Sequence, residues 1–170
     1  DIWINNAGIW LPPTPIVDLD AQKVQTLFDV NVMGVFNGMQ VAAQHMQRQQ
    51  QGTIINIVST SALGVRPLFA PYGASKHAAK ALTHSARQEL KEFNIHVQGI
   101  YPGKANTSLF GAPIDQKTAE ISLLPEDIAK KIIENLERDT PFHDLIITKE
   151  NYPYDFCEMI DGSFHHVVIE

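Results

Sequence analysis

Tyr72 and Lys76 stand four residues apart near the start of a stretch with helical apolar spacing, so both side chains lie on one face of a helix, about a turn apart. A free phenol has a pKa near ~10 and is a poor base at neutral pH. A neighbouring ammonium favours the phenolate and lowers that value, and the phenol then exchanges protons with an alcohol or a carbonyl. Such a pair arises by chance in roughly one chain in five of this composition, so it gains weight only from its neighbours. Ser59 precedes Tyr72 by thirteen residues and closes a β-branched run, where a hydroxyl can hydrogen-bond the same oxygen that Tyr72 protonates. The ordinary alternative is a turn residue at a strand end, and Thr60 and Ser61 compete for the role. Asn31, a poor helix former, sits between Val30 and Val32 inside a helical stretch, where its ordinary reading is a solvent-facing side chain.

The elements that must position these residues alternate. Ile2–Ile4 is a short buried strand pattern ended by the turn formers Asn5, Asn6, Ala7 and Gly8. After a proline-rich loop, Asp18 or Asp20 offers an N-cap, and apolar positions recur at spacings of three and four from about Ala21 to Arg48. Gly34 and Gly38 weaken that helix, and their missing side chains allow another backbone to approach closely. Thr53–Val58 predicts a central strand, Tyr72–Phe93 a small-residue helix, Ile95–Tyr101 a third strand stopped by Pro102 and Gly103. Pro125 begins a further helix carrying Ile128, Ile132 and Leu136, and Leu145–Thr148 is a last strand. Val167–Ile169 could add a short one, although residues 149–170 form a tail of uncertain structure beyond a domain spanning 1–148. Alternation of this kind predicts the α/β class: a doubly wound parallel sheet of about four strands with right-handed crossovers and helices on both faces. Ligands of such sheets gather at the carboxyl edge, which brings together the loops after Ile4, Val58 and Tyr101.

Taken in order, Asn5-Asn6-Ala7-Gly8, Asn31, Ser59, Tyr72-Gly-Ala-Ser-Lys76, Pro102-Gly103 and Thr107 resemble the short-chain dehydrogenase/reductase family, from Ile2 to about Thr148. The resemblance implies a Rossmann-like fold and an NAD(P)-dependent exchange between alcohol and carbonyl. By it, Tyr72 is the acid/base, Lys76 lowers its pKa and binds the nicotinamide ribose, Ser59 polarises the carbonyl, and Asn31 holds a water in a proton relay. Asn5, Asn6, Ala7 and Gly8 lie against the cofactor, Pro102 and Gly103 lie beside the nicotinamide, and Thr107 binds its carboxamide. Trp3 and Ala105 depart from the family's usual aliphatic residues without touching the proton chemistry. The resemblance also implies a glycine-rich cofactor turn and a ribose-selecting residue upstream, neither of which occurs in these 170 residues, so the sheet is expected to be truncated on its N-terminal side and NAD is not distinguished from NADP. By the same analogy Leu63, Val65, Leu68, Phe69, Trp10, Leu11, Leu109 and Phe110 line a largely apolar substrate side. Arg66 meets either an anionic substrate group or solvent.

Composition narrows the partners. The net charge of −6, from 19 acidic and 13 basic residues, supplies no basic field for phosphate backbones, so nucleic acid is not expected. No apolar run approaches the ~18 to 20 residues of a membrane span, which predicts a cytoplasmic protein. One cysteine, Cys157, and seven scattered histidines form no ligand cluster, so no metal is expected; the adjacent His165 and His166 are read as surface residues. The implied partners are a small alcohol or carbonyl substrate and a second copy of the chain. The competing reading is a truncated, non-catalytic binding or dimerising module, against which stands the exposed edge that truncation leaves on a strand of Ile2, Trp3 and Ile4. A third, an enzyme that borrows the absent half of its cofactor site from a partner chain, is weaker.

Overall fold

A computed structural model describes residues 1–111, 120, 122–150 and 164–169. Five strands, β1 (Ile2–Asn5), β2 (Gly52–Ile57), β3 (Ile95–Pro102), β4 (Asp144–Lys149) and β5 (Phe164–Ile169), form one sheet in the order of the chain. Every neighbouring pair is parallel. The sheet thus has one strand more than the four firmly expected, because Phe164–Ile169 pairs with β4 along its whole length, from Asp144↔Phe164 to Lys149↔Ile169.

Strand alternation assigns the two faces. Ile54 and Val97 pack with Val35, Met39, Ala42 and Met46 of helix α2 (Gly34–Gln49), and with Leu90 of helix α3 (Ala70–Leu90). The residues one step along, Ile55, Ile100, Leu145 and Ile147, pack on the opposite face against Ile132 of helix α4 (Pro125–Leu136). Because α4 leads from β3 to β4 on the face opposite to α3, while the strand order keeps advancing the same way, those two crossovers have opposite hands. Uniform right-handedness therefore fails, and the long connection between Pro102 and Pro125 releases the β3-to-β4 crossover from the geometry that a short link imposes. Ile2 and Ile4, in register with Thr53 and Ile55, lie on the α4 face at the sheet edge, where they stay about half exposed.

The helical stretch after the first strand is in two pieces. Helix α1 (Ala21–Phe28) is capped by Asp20, whose carboxylate accepts from the Gln22 and Lys23 amides. A π-turn over Asp29–Met33 then joins it to α2. Of the two helix glycines, Gly38 carries the close approach: a Cβ there would overlap Asn5 Oδ1 and stand 3.1 Å from Trp3 Nε1. At Gly34 a Cβ would meet only the Asp29 carbonyl, at 3.8 Å.

The far end of α3 is gripped by a buried ion pair. Arg87 pairs with the fully buried Asp144 of β4 through both terminal nitrogens and donates through Nε to the Val97 carbonyl at 2.8 Å. Tyr101 donates to the same carboxylate at 2.9 Å, with His84 Nε2 3.3 Å away. Burial alone would raise the Asp144 carboxyl, but hydrogen bonds from His84 and Arg87 and the Arg87 charge outweigh it and hold the group at about 2. Burial pushes the Tyr101 phenol far above its ordinary value, and the Asp144 charge adds to this. Phe164 of β5 closes the cluster, its ring edge-on to Tyr101 at 5.1 Å.

Candidate active site

The carboxyl ends of β1, β2 and β3 are adjacent, since Asn5 pairs with Asn56 and Ile57 with Ile100. The turn Asn5–Gly8, Ser59, and Pro102 with Gly103 therefore share one edge, as the sequence requires. Helix α3 begins just after, with Pro71 in its first turn, and buries both Tyr72 and Lys76. Lys76 Nζ lies 5.8 Å from the centre of the Tyr72 ring and donates to the Ile57 carbonyl at 3.3 Å. Burial lowers the Lys76 ammonium from 10.5 to about 8.

Asn31 is 1% exposed, which removes the solvent-facing alternative. It lies inside the π-turn, a departure from helical hydrogen bonding often found at functional sites. Its side chain clasps the residue after the turn in both directions: Ile9 N donates to Oδ1 at 2.8 Å and Nδ2 donates to the Ile9 carbonyl at 2.9 Å. Nδ2 also donates to Ser75 Oγ at 3.2 Å, and Ser75 donates to the Tyr72 carbonyl at 2.8 Å. Asn31 and Lys76 thus converge beneath Gly8, where an added Cβ would stand 3.4 Å from Asn31 Oδ1 and 3.7 Å from Lys76 Nζ.

Asn5 is held differently. Trp3 Nε1 donates to Asn5 Oδ1, Asn5 Nδ2 to Asn56 Oδ1, both at 2.8 Å, and Asn56 Nδ2 to Thr83 Oγ1 at 2.9 Å. This chain fixes the start of the turn to α3. Trp3, an unusual residue for its place, is thereby accounted for. Asn6 and Ala7 are exposed beyond it.

Ser59 takes the ordinary role and remains compatible with the other. Its Oγ accepts from Ser61 N at 3.1 Å, capping the 3-10 turn Thr60–Ala62, which leaves its own proton to donate elsewhere. Thr60 is buried. Thr107 likewise accepts from Leu109 N at 3.3 Å, and Gly103 N donates to the Ile147 carbonyl at 2.8 Å. Of the loop expected to line the substrate, Leu63 packs into the core with Val58, Ala62 and Tyr101, whereas Val65 is 91% exposed. The Arg66 guanidinium lies 5.6 Å above the Phe69 ring. His165 stacks on Phe142 at 3.7 Å and His166 Nε2 lies 2.8 Å from Thr148 Oγ1, so both rings are engaged. Among the described residues no group of three metal-ligating side chains occurs, and Cys157 lies outside them. No helix of the described residues is long and apolar enough to cross a membrane.

Ser75, Ile9, Asn56 and Thr83 were not singled out by sequence reasoning. Only Ser75 carried a signal, its place one residue before Lys76.

The family described as short chain dehydrogenase matches residues 1–118. The chain belongs to that family. The 3alpha-hydroxysteroid dehydrogenase of Mediterraneibacter gnavus is 35% identical over 136 residues, 80% of this chain and 50% of the relative. The cyclopentanol dehydrogenase of Comamonas testosteroni is 27% identical over 164 residues, 96% of this chain and 65% of the relative. The chain therefore spans between about half and two thirds of the length of these relatives. Among solved structures, a gluconate 5-dehydrogenase from Burkholderia cenocepacia in complex with NADP and tartrate superposes with a TM-score of 0.62 at 38% identity, over 64% of this chain and 42% of its own. An alcohol dehydrogenase from the archaeon Thermococcus sibiricus, complexed with 5-hydroxy-NADP, shares the fold with a TM-score of 0.77 at 20% identity, over 87% of this chain and 62% of its own.

Proposed function

We propose that this short-chain dehydrogenase is an NAD(P)-dependent oxidoreductase that interconverts an alcohol and a carbonyl, with Tyr72 as the acid/base. The observation that carries the reading is the buried Lys76 ammonium beside the Tyr72 ring, tethered to the end of β2. An ammonium beside a phenol favours its ionised form, the arrangement that proton exchange with an alcohol or a carbonyl requires.

The residues also suit the cofactor. Lys76 has three N–H donors, and among the described residues one of them is used, on the Ile57 carbonyl. The remaining pair matches the hydroxyls of a ribose, and the bare Gly8 leaves room for a close approach beside them. A bound nicotinamide supplies the hydride in reduction and accepts it in oxidation. In reduction, Tyr72 delivers its phenolic proton to the carbonyl oxygen while Ser59 donates a hydrogen bond to the same atom. In oxidation the tyrosinate takes the alcohol proton back. Asn5 to Gly8, Pro102, Gly103 and Thr107 frame the cofactor side, and Asn31 holds the turn against Lys76.

The relatives are named for cyclopentanol, a 3α-hydroxysteroid and, in Staphylococcus epidermidis, diacetyl. A small, largely apolar alcohol or ketone is the substrate class we assign. The test uses the full-length protein, nicotinamide absorbance, and panels of secondary alcohols and ketones with both NAD(H) and NADP(H). Tyr72→Phe should lose about 10²- to 10⁴-fold in kcat while keeping its fold. Turnover equal to that of the unsubstituted enzyme would refute the assignment.

A further inference from the structure

We propose that the Ser75 hydroxyl is a positioning group which, acting through Asn31, locks the cofactor turn to the catalytic helix. The inference rests on the reading of Tyr72 and Lys76 given above. Ser75 is fully buried between those two residues on α3. Serine is a poorer helix former than alanine, and a buried hydroxyl is costly unless its bonds are made, so neither helix propensity nor packing favours it here. A hydroxyl has one proton. Ser75 gives it to the Tyr72 carbonyl at 2.8 Å, so towards Asn31 Nδ2, 3.2 Å away, it acts only as acceptor.

That direction is continued by the rest of the chain of bonds. Asn31 Nδ2 faces Ser75 and the Ile9 carbonyl, which leaves Oδ1 for the Ile9 amide. One run of hydrogen bonds therefore joins the backbone of the catalytic tyrosine to the backbone just after the turn, through two buried side chains. Gly8 sits where the run ends, within van der Waals reach of both Asn31 Oδ1 and Lys76 Nζ for any added Cβ. Without the hydroxyl, Asn31 keeps its two bonds to Ile9 but loses its hold on α3, and the turn can shift relative to Lys76. The expected loss is in cofactor binding, since Tyr72 and Lys76 remain in place.

The experiment compares Ser75→Ala, Ser75→Thr, Asn31→Ala and Ser75→Ala/Asn31→Ala in the full-length protein, with Tyr72→Phe alongside. It measures amide hydrogen exchange over residues 8–10 together with KM for the nicotinamide cofactor and kcat. Ser75→Ala should raise both the exchange rate and the cofactor KM about tenfold, the size of one lost buried hydrogen bond, with kcat changed less than about threefold. Ser75→Thr, which keeps the hydroxyl, should restore both. On the Asn31→Ala background, Ser75→Ala should add less than about twofold. Unchanged exchange and KM in Ser75→Ala, or a full tenfold effect on the Asn31→Ala background, would overturn the proposal. Loss of turnover in Tyr72→Phe with a Ser75→Ala variant like the parent refutes the Ser75 role alone. Retained turnover in Tyr72→Phe refutes the catalytic reading, and exchange over residues 8–10 then still decides for or against the lock.

Discussion

Lys76 Nζ donates to the Ile57 carbonyl across 3.3 Å, which ties the charged end of the helix lysine to the strand that ends two residues before Ser59. The bond joins the helix that carries Tyr72 to the strand that leads to Ser59, and it holds the ammonium where burial opposes its charge.

The cost of that arrangement is measurable as a pH dependence of stability. The Lys76 ammonium lies at about 8 in the folded chain and at 10.5 when free. Between those values the unfolded chain binds the extra proton, so stability rises with pH across this window, and the full penalty applies below about pH 8. The difference corresponds to about 3 kcal/mol as an upper figure. Lys76→Met should therefore raise the unfolding free energy at pH 7 by about 1 to 3 kcal/mol, abolish turnover, and flatten the rise between pH 8 and 10.5. Urea titrations at several pH values provide the check; a less stable variant would contradict the account.

Gly38 and Asn5 make a second prediction. Gly→Ala inside a helix ordinarily gains about 1 kcal/mol. Here the new Cβ would overlap Asn5 Oδ1, which is pinned by Trp3 Nε1, while Asn5 Nδ2 is committed to Asn56. Gly38→Ala should instead lose about 1 to 3 kcal/mol. Asn5→Ala removes the overlapped atom, so the same change on that background should become neutral or stabilising. Denaturant midpoints of the four proteins test this, and equal losses on both backgrounds would count against it.

Asp144 provides a third. Its carboxyl lies below its unfolded value of 3.8, at about 2, so its contribution is complete above about pH 4 and is lost as pH falls through 2. Asp144→Asn leaves the Arg87 charge without its partner and should cost about 3 to 5 kcal/mol near neutrality. The variant should also lose the part of the acid transition between pH 4 and 2, as followed by circular dichroism. A cost under about 1 kcal/mol would show that the pair behaves like an exposed one.

Much of the candidate site was legible because the residues proposed for the chemistry are local in sequence or follow in a fixed order. Tyr72 and Lys76 need only helical spacing to meet, and the strands ending near Asn5, Ser59 and Pro102 need only the topology of a parallel sheet. The π-turn was not legible, since apolar residues three and four apart look the same whether the bond ladder steps by four or by five. Arg87 and Asp144 are 57 residues apart, and neither type reveals that the other neutralises it. Leu63 was placed on the substrate side by the family resemblance, yet an apolar loop residue next to a strand end fills the core as readily as it lines a cleft. β5 was only suggested by three β-branched residues, because its pairing with β4 is decided by an edge that the sequence does not display.

The ion pair at the end of α3 makes that helix a lever. Tyr72 and Arg87 are 15 residues apart on one rigid element, about 22 Å at the helical rise of ~1.5 Å per residue. A tilt of about 5° at the Asp144 grip moves the phenol by about 2 Å, more than the ~1 Å of misplacement that is enough to cost a catalyst about 10²-fold. On the proposed reading, sequence changes in β4, or in β5 at Phe164, tune turnover from the opposite edge of the sheet without altering a residue proposed to meet the substrate.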